Sequence, residues 1–170
     1  GISEVLDQEV KSDGMYLDEI LNVLKNATVR LGKDSGKEVS VSLHLPHRLY
    51  TGQHYAWMSI FRNLFTNALE AEKSSYVQIE VVQNFSGDNC IFQITDHGPG
   101  IPEENQPEIF CPGFSTKINY ETGEVSRGLG LNLVHDLIKD QFHGTISLES
   151  VPGKTTFTIT VPKTTFTQKG

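Results

Sequence analysis

The sequence predicts an α+β fold: a two-layer sandwich with helices packed on one face of a mixed, mostly antiparallel sheet. Three observations carry that prediction. Apolar residues recur at strand spacing in five segments and at helical spacing in three. The elements run helix, strand, helix, two strands, loop, helix, two strands, with no regular β-α-β alternation. The later strands come in pairs joined by "SGDN" and "VPGK", connections short enough to favour antiparallel neighbours.

Taken in order, residues 1–15 are polar and irregular and read as a tail or as the remnant of an upstream helix. Over 16–31, Leu17, Ile20, Leu21, Leu24, Ala27 and Leu31 recur as one helical stripe, which "GKDSGKE" ends. In "VSVSLHL", Val39, Val41, Leu43 and Leu45 share a face and Ser40, Ser42 and His44 take the other, the alternation of a half-buried strand. After Pro46 the chain turns. A second helix begins near Gln53 with a broad apolar face of Trp57, Ile60, Phe61, Leu64, Phe65, Ala68 and Leu69.

Strands follow at 76–86 and 90–96. Val77, Ile79 and Val81 face inward in the first; Phe92, Ile94 and Asp96 do so in the second. Residues 111–127 have no clear periodicity, and a loop of that length in a compact domain is usually mobile or functional. A third helix is expected over 129–142, with Leu131, Val134, Leu137 and Ile138 inward. The last strands, 144–150 and 154–162, end in a segment where Thr155, Phe157, Ile159 and Val161 share one face and Thr156, Thr158 and Thr160 the other.

Length and charge narrow the function classes. A chain of 170 residues supports one domain with a real core. A net charge of −7 argues against a nucleic-acid backbone as partner, but leaves open a phosphorylated ligand held by main-chain amides and a metal. Cys90 and Cys111 form no paired metal spacing and read as reduced thiols, and the six histidines show no ligand cluster. No apolar run approaches the roughly 20 residues of a membrane helix, and no signal peptide is visible. The expectation is a cytoplasmic domain without membrane contact of its own, with Gly1 marking a cut in a longer parent whose membrane anchor, where it has one, lies outside this piece.

Several stretches carry chemistry. In "ITDHGPGIP" a strand ends in Asp96 and runs at once into Gly98, Pro99, Gly100, Ile101 and Pro102. One reading is a hairpin corner rich in turn residues. The other is a ligand carboxylate at a pocket rim, accepting from an exocyclic amine such as that of adenine, with glycines admitting the ligand to the backbone. In "NLFTNALEA", Asn63 and Asn67 stand four apart on one helical side, either as solvated amides or as oxygens near a hydrated Mg²⁺.

In "SRGLGLNLVHDLI", Gly128 and Gly130 open a helix, with Leu129 and Leu131 between and after them. They serve either as plain entry glycines or as a dipole end facing an anion. The spacing is neither a Rossmann fingerprint nor a Walker loop. "IFCPGFSTK" brings Lys117 to the start of the long loop, either solvated or reaching a phosphate. Thr155 faces inward, to bond a ligand or its own backbone.

Together and in this order, these stretches resemble the ATP-binding catalytic domain of sensor histidine kinases. That domain lies within the GHKL superfamily, which includes gyrase, the mismatch-repair ATPase and a heat-shock chaperone and shares the Bergerat ATP-binding fold. NLFTNALEA resembles the asparagine box, DHGPGIP the first glycine box, IFCPGFSTK the phenylalanine box, and GLGL the second glycine box. GKTTF resembles the last element. The resemblance covers 17–162. It implies ATP and Mg²⁺ as cofactors, held between helices and sheet under a lid at 111–127.

By resemblance, Asn67 is the Mg²⁺ ligand and Asn63 its neighbour in the phosphate site. Asp96 takes the adenine amine with Thr155 near it, directly or through water. Gly98 and Gly100 shape the base pocket, and Ile101 belongs to the ATP-binding set. Lys117 and the amides of Gly128, Leu129, Gly130 and Leu131 meet the phosphates. The implied activity is transfer of the γ-phosphoryl to a histidine on a separate dimerisation domain, with a response regulator downstream.

Two departures stand out. Glu70 occupies a position often basic in the family, and Asn63 stands where gyrase-type ATPases carry a water-activating glutamate, which argues for phosphoryl transfer over hydrolysis. His135-Asp136 mimics the phosphoacceptor motif but falls in the helix opened by GLGL, and the fragment alone is expected not to autophosphorylate. The alternatives are a nucleotide-binding regulator such as an anti-sigma serine kinase, or a gyrase-like ATPase module. Acid-labile phosphate on a supplied histidine domain separates the first from the kinase. Robust turnover by the fragment alone would mark the second.

Overall fold

The computed structural model describes residues 14–111 and 130–168. Within them the main sheet has five strands: β2 (Glu38–His44), β4 (Tyr76–Ser86), β5 (Asn89–Asp96), β6 (Thr145–Val151) and β7 (Lys154–Pro162). Their spatial order is β2-β4-β5-β7-β6. β2 and β4 run parallel; every other neighbouring pair is antiparallel. The parallel pair follows from the chain between them, since helix α2 (His54–Ala71) supplies the crossover that a parallel return requires.

Helices α1 (Leu17–Asp34), α2 and α3 (Leu131–Asp136, continued by a π-helical stretch Leu137–Gln141) cover one face. The expected α+β sandwich is thus the observed architecture. Strand alternation sorts the two faces: Val77, Ile79 and Val81 of β4, Phe92 and Ile94 of β5, and Phe157, Ile159 and Val161 of β7 are all buried. On the outer face Thr95 and Thr156 pair their hydroxyls at 3.0 Å.

Trp57 ties the layers together. It is fully buried and stacks on Phe142 at 4.5 Å, with Phe166 at 5.0 Å and Phe92 at 5.7 Å around it. One indole therefore joins α2, β5, the end of the π-helical stretch and the segment after β7. Truncating such a residue costs about 3–5 kcal/mol.

A second, three-stranded sheet was not anticipated. β1 (Met15–Tyr16) and β8 (Thr167–Gln168) flank β3 (Leu49–Thr51), both antiparallel. Strands of two or three residues carry too little alternation to register as a pattern. Arg48 reinforces the outer strand, lying 3.8 Å from the Tyr16 ring centroid and 3.2 Å from Glu19.

Helix α1 also differs in its inner face. Leu17, Ile20, Leu21, Leu24, Thr28 and Gly32 are buried, whereas Ala27 and Leu31 are exposed. The helix runs to Asp34, past the expected break. There Gly32 packs against Val39 so closely that a side chain would not fit, and Gly36 closes the turn at φ +75°.

Candidate functional site

The site grows from the edge where β5 and β7 end beside each other. Asp96 is the last residue of β5 and stands directly opposite Thr155 of β7. Opposed residues of an antiparallel pair share a face, so both side chains point toward the helical layer. Thr155 is buried, and Asp96 is half-buried.

Burial pushes the Asp96 carboxyl above the usual carboxylate range. The Gly98 N–H, donating to Oδ1 at 3.0 Å, and nearby His97 act against this, while Glu72 adds to it. Among the described residues, an inward acid so placed has no strong cationic partner beyond His97. The hairpin-corner reading accounts for the Gly98 bond, an Asx-type turn two residues on, but not for a carboxylate left in a desolvated position.

The strap after Asp96 is fastened to the β6–β7 hairpin at several points. Gly153 N–H donates to Gly98 O at 3.0 Å. Ile101 N–H donates to Ser150 Oγ at 2.8 Å. Gln106 Nε2 donates to Ile101 O at 2.9 Å and to Ser150 O at 3.2 Å. Ser150 Oγ lies 2.7 Å from Thr155 Oγ1.

Gly100 adopts φ +86°, and a Cβ there would come within 2.7 Å of the Val151 carbonyl oxygen. Glycine is thus required by both conformation and space. Ser150 and Gln106 were not singled out from the sequence. Ser150 had an available signal: it follows Ile146 and Leu148 at strand period, on the inward side of β6.

The other half of the site lies between α2 and α3. Asn63 and Asn67 sit one turn apart on α2, both half-buried. Asn63 Nδ2 donates to Ser59 O at 2.7 Å. Its Oδ1 packs against Gly130, whose φ is +84° and where a Cβ would overlap that oxygen. Asn67 Nδ2 is buried with no acceptor among the described residues. A buried amide donor without a partner is costly unless a ligand or water meets it.

Leu131 opens α3 as a buried core residue. At its far end α2 is capped by Lys37, whose Nζ donates to Leu69 O at 2.8 Å and also to Glu72 O. The Glu72 carboxylate lies on the Gly98 side, 3.5 Å from where a Gly98 Cβ would be. Helix α2 thus borders both halves of the site.

Nine of the expected residues therefore lie among the described ones: Asn63, Asn67, Asp96, Gly98, Gly100, Ile101, Gly130, Leu131 and Thr155. Asp96, Gly98, Ile101 and Thr155 are joined by the hydrogen-bonded strap and register, and Asn63 meets Gly130. Lys117, Gly128, Leu129 and the loop beyond Cys111 lie outside the described residues. His97 is exposed beside Glu80 at 3.4 Å. His135 contacts Phe110 and its own neighbour Asp136.

An acid at a glycine strap, a buried amide on the adjoining helix and a left-handed glycine opening the next make up the described site. Residues 52–165 match the model of the histidine kinase-, DNA gyrase B- and HSP90-like ATPases. The chain belongs to this family. Members of the family are ATP-binding domains.

The chain is 27% identical to the sensor histidine kinase GlnK of Bacillus subtilis, across 100% of itself and 41% of that protein. It is 32% identical to the sensor histidine kinase GraS of Staphylococcus haemolyticus, across 95% of itself and 49% of that protein. It therefore spans less than half the length of these relatives. Its fold is that of the nucleotide-free catalytic domain of the histidine kinase ThkA, with a TM-score of 0.70, 22% identity and coverage of 88% and 94% of the two chains. Among the described residues no helix is long and apolar enough to cross a membrane.

Proposed function

We propose that this family member is the catalytic domain of a two-component sensor histidine kinase, which binds Mg·ATP and passes the γ-phosphoryl to a histidine on a separate dimerisation domain. In this reading residues 1–15 are the tail or end of an upstream helix, and 16–170 form the catalytic domain with its lid at 111–127. A response regulator then takes the phosphoryl group, and the domain works at the cytoplasmic side of its parent.

The observation that carries the reading is Asp96: an inward carboxylate in a desolvated position, opposite Thr155, with glycines at 98 and 100 in the strap beside it. The exocyclic amine of adenine is the donor it lacks. Gly98 and Gly100 let main chain approach the base, with Ile101 continuing the strap.

On the far side, Asn67 suits a phosphate–magnesium pair, because its Nδ2 needs an acceptor and its other amide atom is an oxygen. Magnesium, when bound, neutralises charge on the phosphates. Asn63 and the amides of Gly128, Leu129, Gly130 and Leu131 would complete the phosphate side, with Lys117 from the lid. None of these residues is a general base. The chain's part is to bind and orient, and the proton acceptor is a group beside the target histidine.

Calorimetric titration with a non-hydrolysable ATP analogue and Mg²⁺, on wild type and Asp96→Asn, tests the pocket. Mixing the chain with a separately made histidine-bearing domain and labelled ATP tests the transfer. Acid-labile phosphate on that domain is expected. Its absence alongside normal nucleotide binding would reject the kinase and keep the pocket.

A further inference from the structure

A cleft lies at the opposite end of the main sheet from Asp96. His47, Phe85, Lys163, Thr164 and Phe166 line it around an open volume of about 480 Å³. Phe85 continues the inward side of β4 after Val81 and Gln83, and at the end of the strand it is only half-buried. His47, in the turn between β2 and β3, lies over its ring with centroids 4.3 Å apart. Lys163 and Thr164 follow β7 in a short 3₁₀ turn. Phe166 is the buried wall, with Trp57 at 5.0 Å and Phe92 at 5.9 Å behind it.

The chemistry of this lining is one-sided. Lys163 holds its ammonium 4.8 Å from the Phe85 ring centroid. Neither Lys163 nor His47 has a carboxylate partner among the described residues. In a chain with 21 acidic and 14 basic side chains, a cleft lined by a cation and no acid runs against the general charge. That cation is felt inward as well. Burial raises the Cys90 thiol, opposite Phe85, to about 11, and the Gln83 amide and Lys163 act against the rise.

We propose that the cleft is a second ligand site, which takes a small aromatic carboxylate. Its ring lies against Phe85 and Phe166, and its carboxylate meets Lys163, with the His47 ring and the Thr164 hydroxyl as further donors. The volume falls in the range of small-molecule sites, where apolar walls bind and a few polar groups orient. A phosphate fits less well, because it needs a cradle of free main-chain amides. Here the N–H groups of Lys163 and Phe166 are already given to the carbonyls of Asp88 and Lys163. One permanent cation matches the single charge of a carboxylate. The site is independent of the proposed nucleotide pocket: from Asn89, opposite Pro162, to Asp96 is about 23 Å along β5.

The test uses the whole chain and three probes: benzoate, benzamide and acetate. Benzamide keeps the ring and drops the charge; acetate keeps the charge and drops the ring. Binding is read by calorimetry and by the fluorescence of Trp57, the only tryptophan, which packs on Phe166. Benzoate should bind with a Kd of about 1 mM, as so small a ligand allows. It should bind roughly three- to tenfold more tightly than either of the other probes.

Lys163→Met keeps the apolar stem and should bring benzoate down to the level of benzamide. Phe85→Leu keeps apolar bulk and should weaken benzoate and benzamide together. Lys163 is exposed, so its variant should fold, and each comparison of probes is made within one variant. Saturation with a non-hydrolysable ATP analogue and Mg²⁺ should leave benzoate binding unchanged. Displacement by that analogue would put benzoate in the nucleotide pocket and overturn the proposal. Equal binding of benzoate and acetate overturns it too, as does an affinity that ignores Lys163→Met. So does an absence of binding at about 20 mM benzoate. None of these results bears on whether Asp96 seats a nucleotide.

Discussion

The two halves of the site are built differently. Around Asp96, Ser150 and Thr155, side chains and main chain are laced across three strands, and the strap is bonded to the β6–β7 hairpin at Gly98, Ile101 and Gln106. Around Asn63 and Asn67 the polar groups engage less of the fold among the described residues. Asn63 bonds within its own helix, and Asn67 Nδ2 has no acceptor among the described residues. The first half is braced by the chain itself; in the proposed function the second is completed by the ligand. If the proposed function holds, a rigid base seat gives selectivity, because mismatch cannot be relieved by movement, and a less braced phosphate side suits a group whose charge and length change during transfer.

The largest expected break in this contrast is Asp96→Asn. It replaces an acceptor with an amide that presents a donor to the base amine, and ATP-analogue affinity should fall by at least about a hundredfold. In the nucleotide-free protein the same change should raise thermal stability at neutral pH. Burial holds the Asp96 carboxyl above its unfolded value. Its contribution to stability is therefore complete below the unfolded carboxylate range and is lost as pH rises through the folded value. Asn carries no such pH-dependent loss. A melting temperature that falls in the variant would mean the acid serves the fold and not the ligand.

A paired glycine experiment comes next. Gly100→Ala places a Cβ against the Val151 carbonyl at φ +86°, and a β-strand's main chain has little room to yield. A loss of about 1–3 kcal/mol is expected. Gly130→Ala has a similar φ, but its Cβ meets the end of the Asn63 side chain, which can turn away from Ser59. Gly100→Ala should lower the melting temperature more. Equal effects would contradict the unequal bracing of the two halves.

Asn67→Ala should leave stability nearly unchanged, or improve it slightly by removing a buried donor that has no acceptor among the described residues. It should abolish the gain in nucleotide affinity that Mg²⁺ confers, roughly tenfold. Titrations with and without magnesium on this variant read that gain directly.

The smallest effect is that of pH. The base amine favours the ionised acid, so analogue affinity should climb a few-fold as pH rises through the folded range of Asp96. Asp96→Asn should flatten that slope. An unchanged slope in the variant would assign the titration to another group.

Much of this was legible in the sequence, and the reasons it stopped are physical. The inward side of β5 could be counted from Phe92 and Ile94 to Asp96, and that of β7 from Phe157 back to Thr155, because a period of two allows no drift. That Asp96 and Thr155 face each other could not be counted, since register between strands is a tertiary property. Ser150 looked like any strand serine until its hydroxyl was seen to join Ile101 and Thr155. Ala27 and Leu31 looked inward on α1 because they match a helical period, but the core needs only the stripe ending at Thr28 and Gly32. Lys117 and Gly128 remain sequence expectations, outside the described residues.

The small sheet has a consequence of its own. β1 and β8 lie on either side of β3, so entry and exit stand two inter-strand spacings apart, about 10 Å. Both run antiparallel to β3 and therefore parallel to each other, so the path comes in at one end of this small sheet and goes out at the other, and any bridge between them must cross back along it instead of closing as a hairpin.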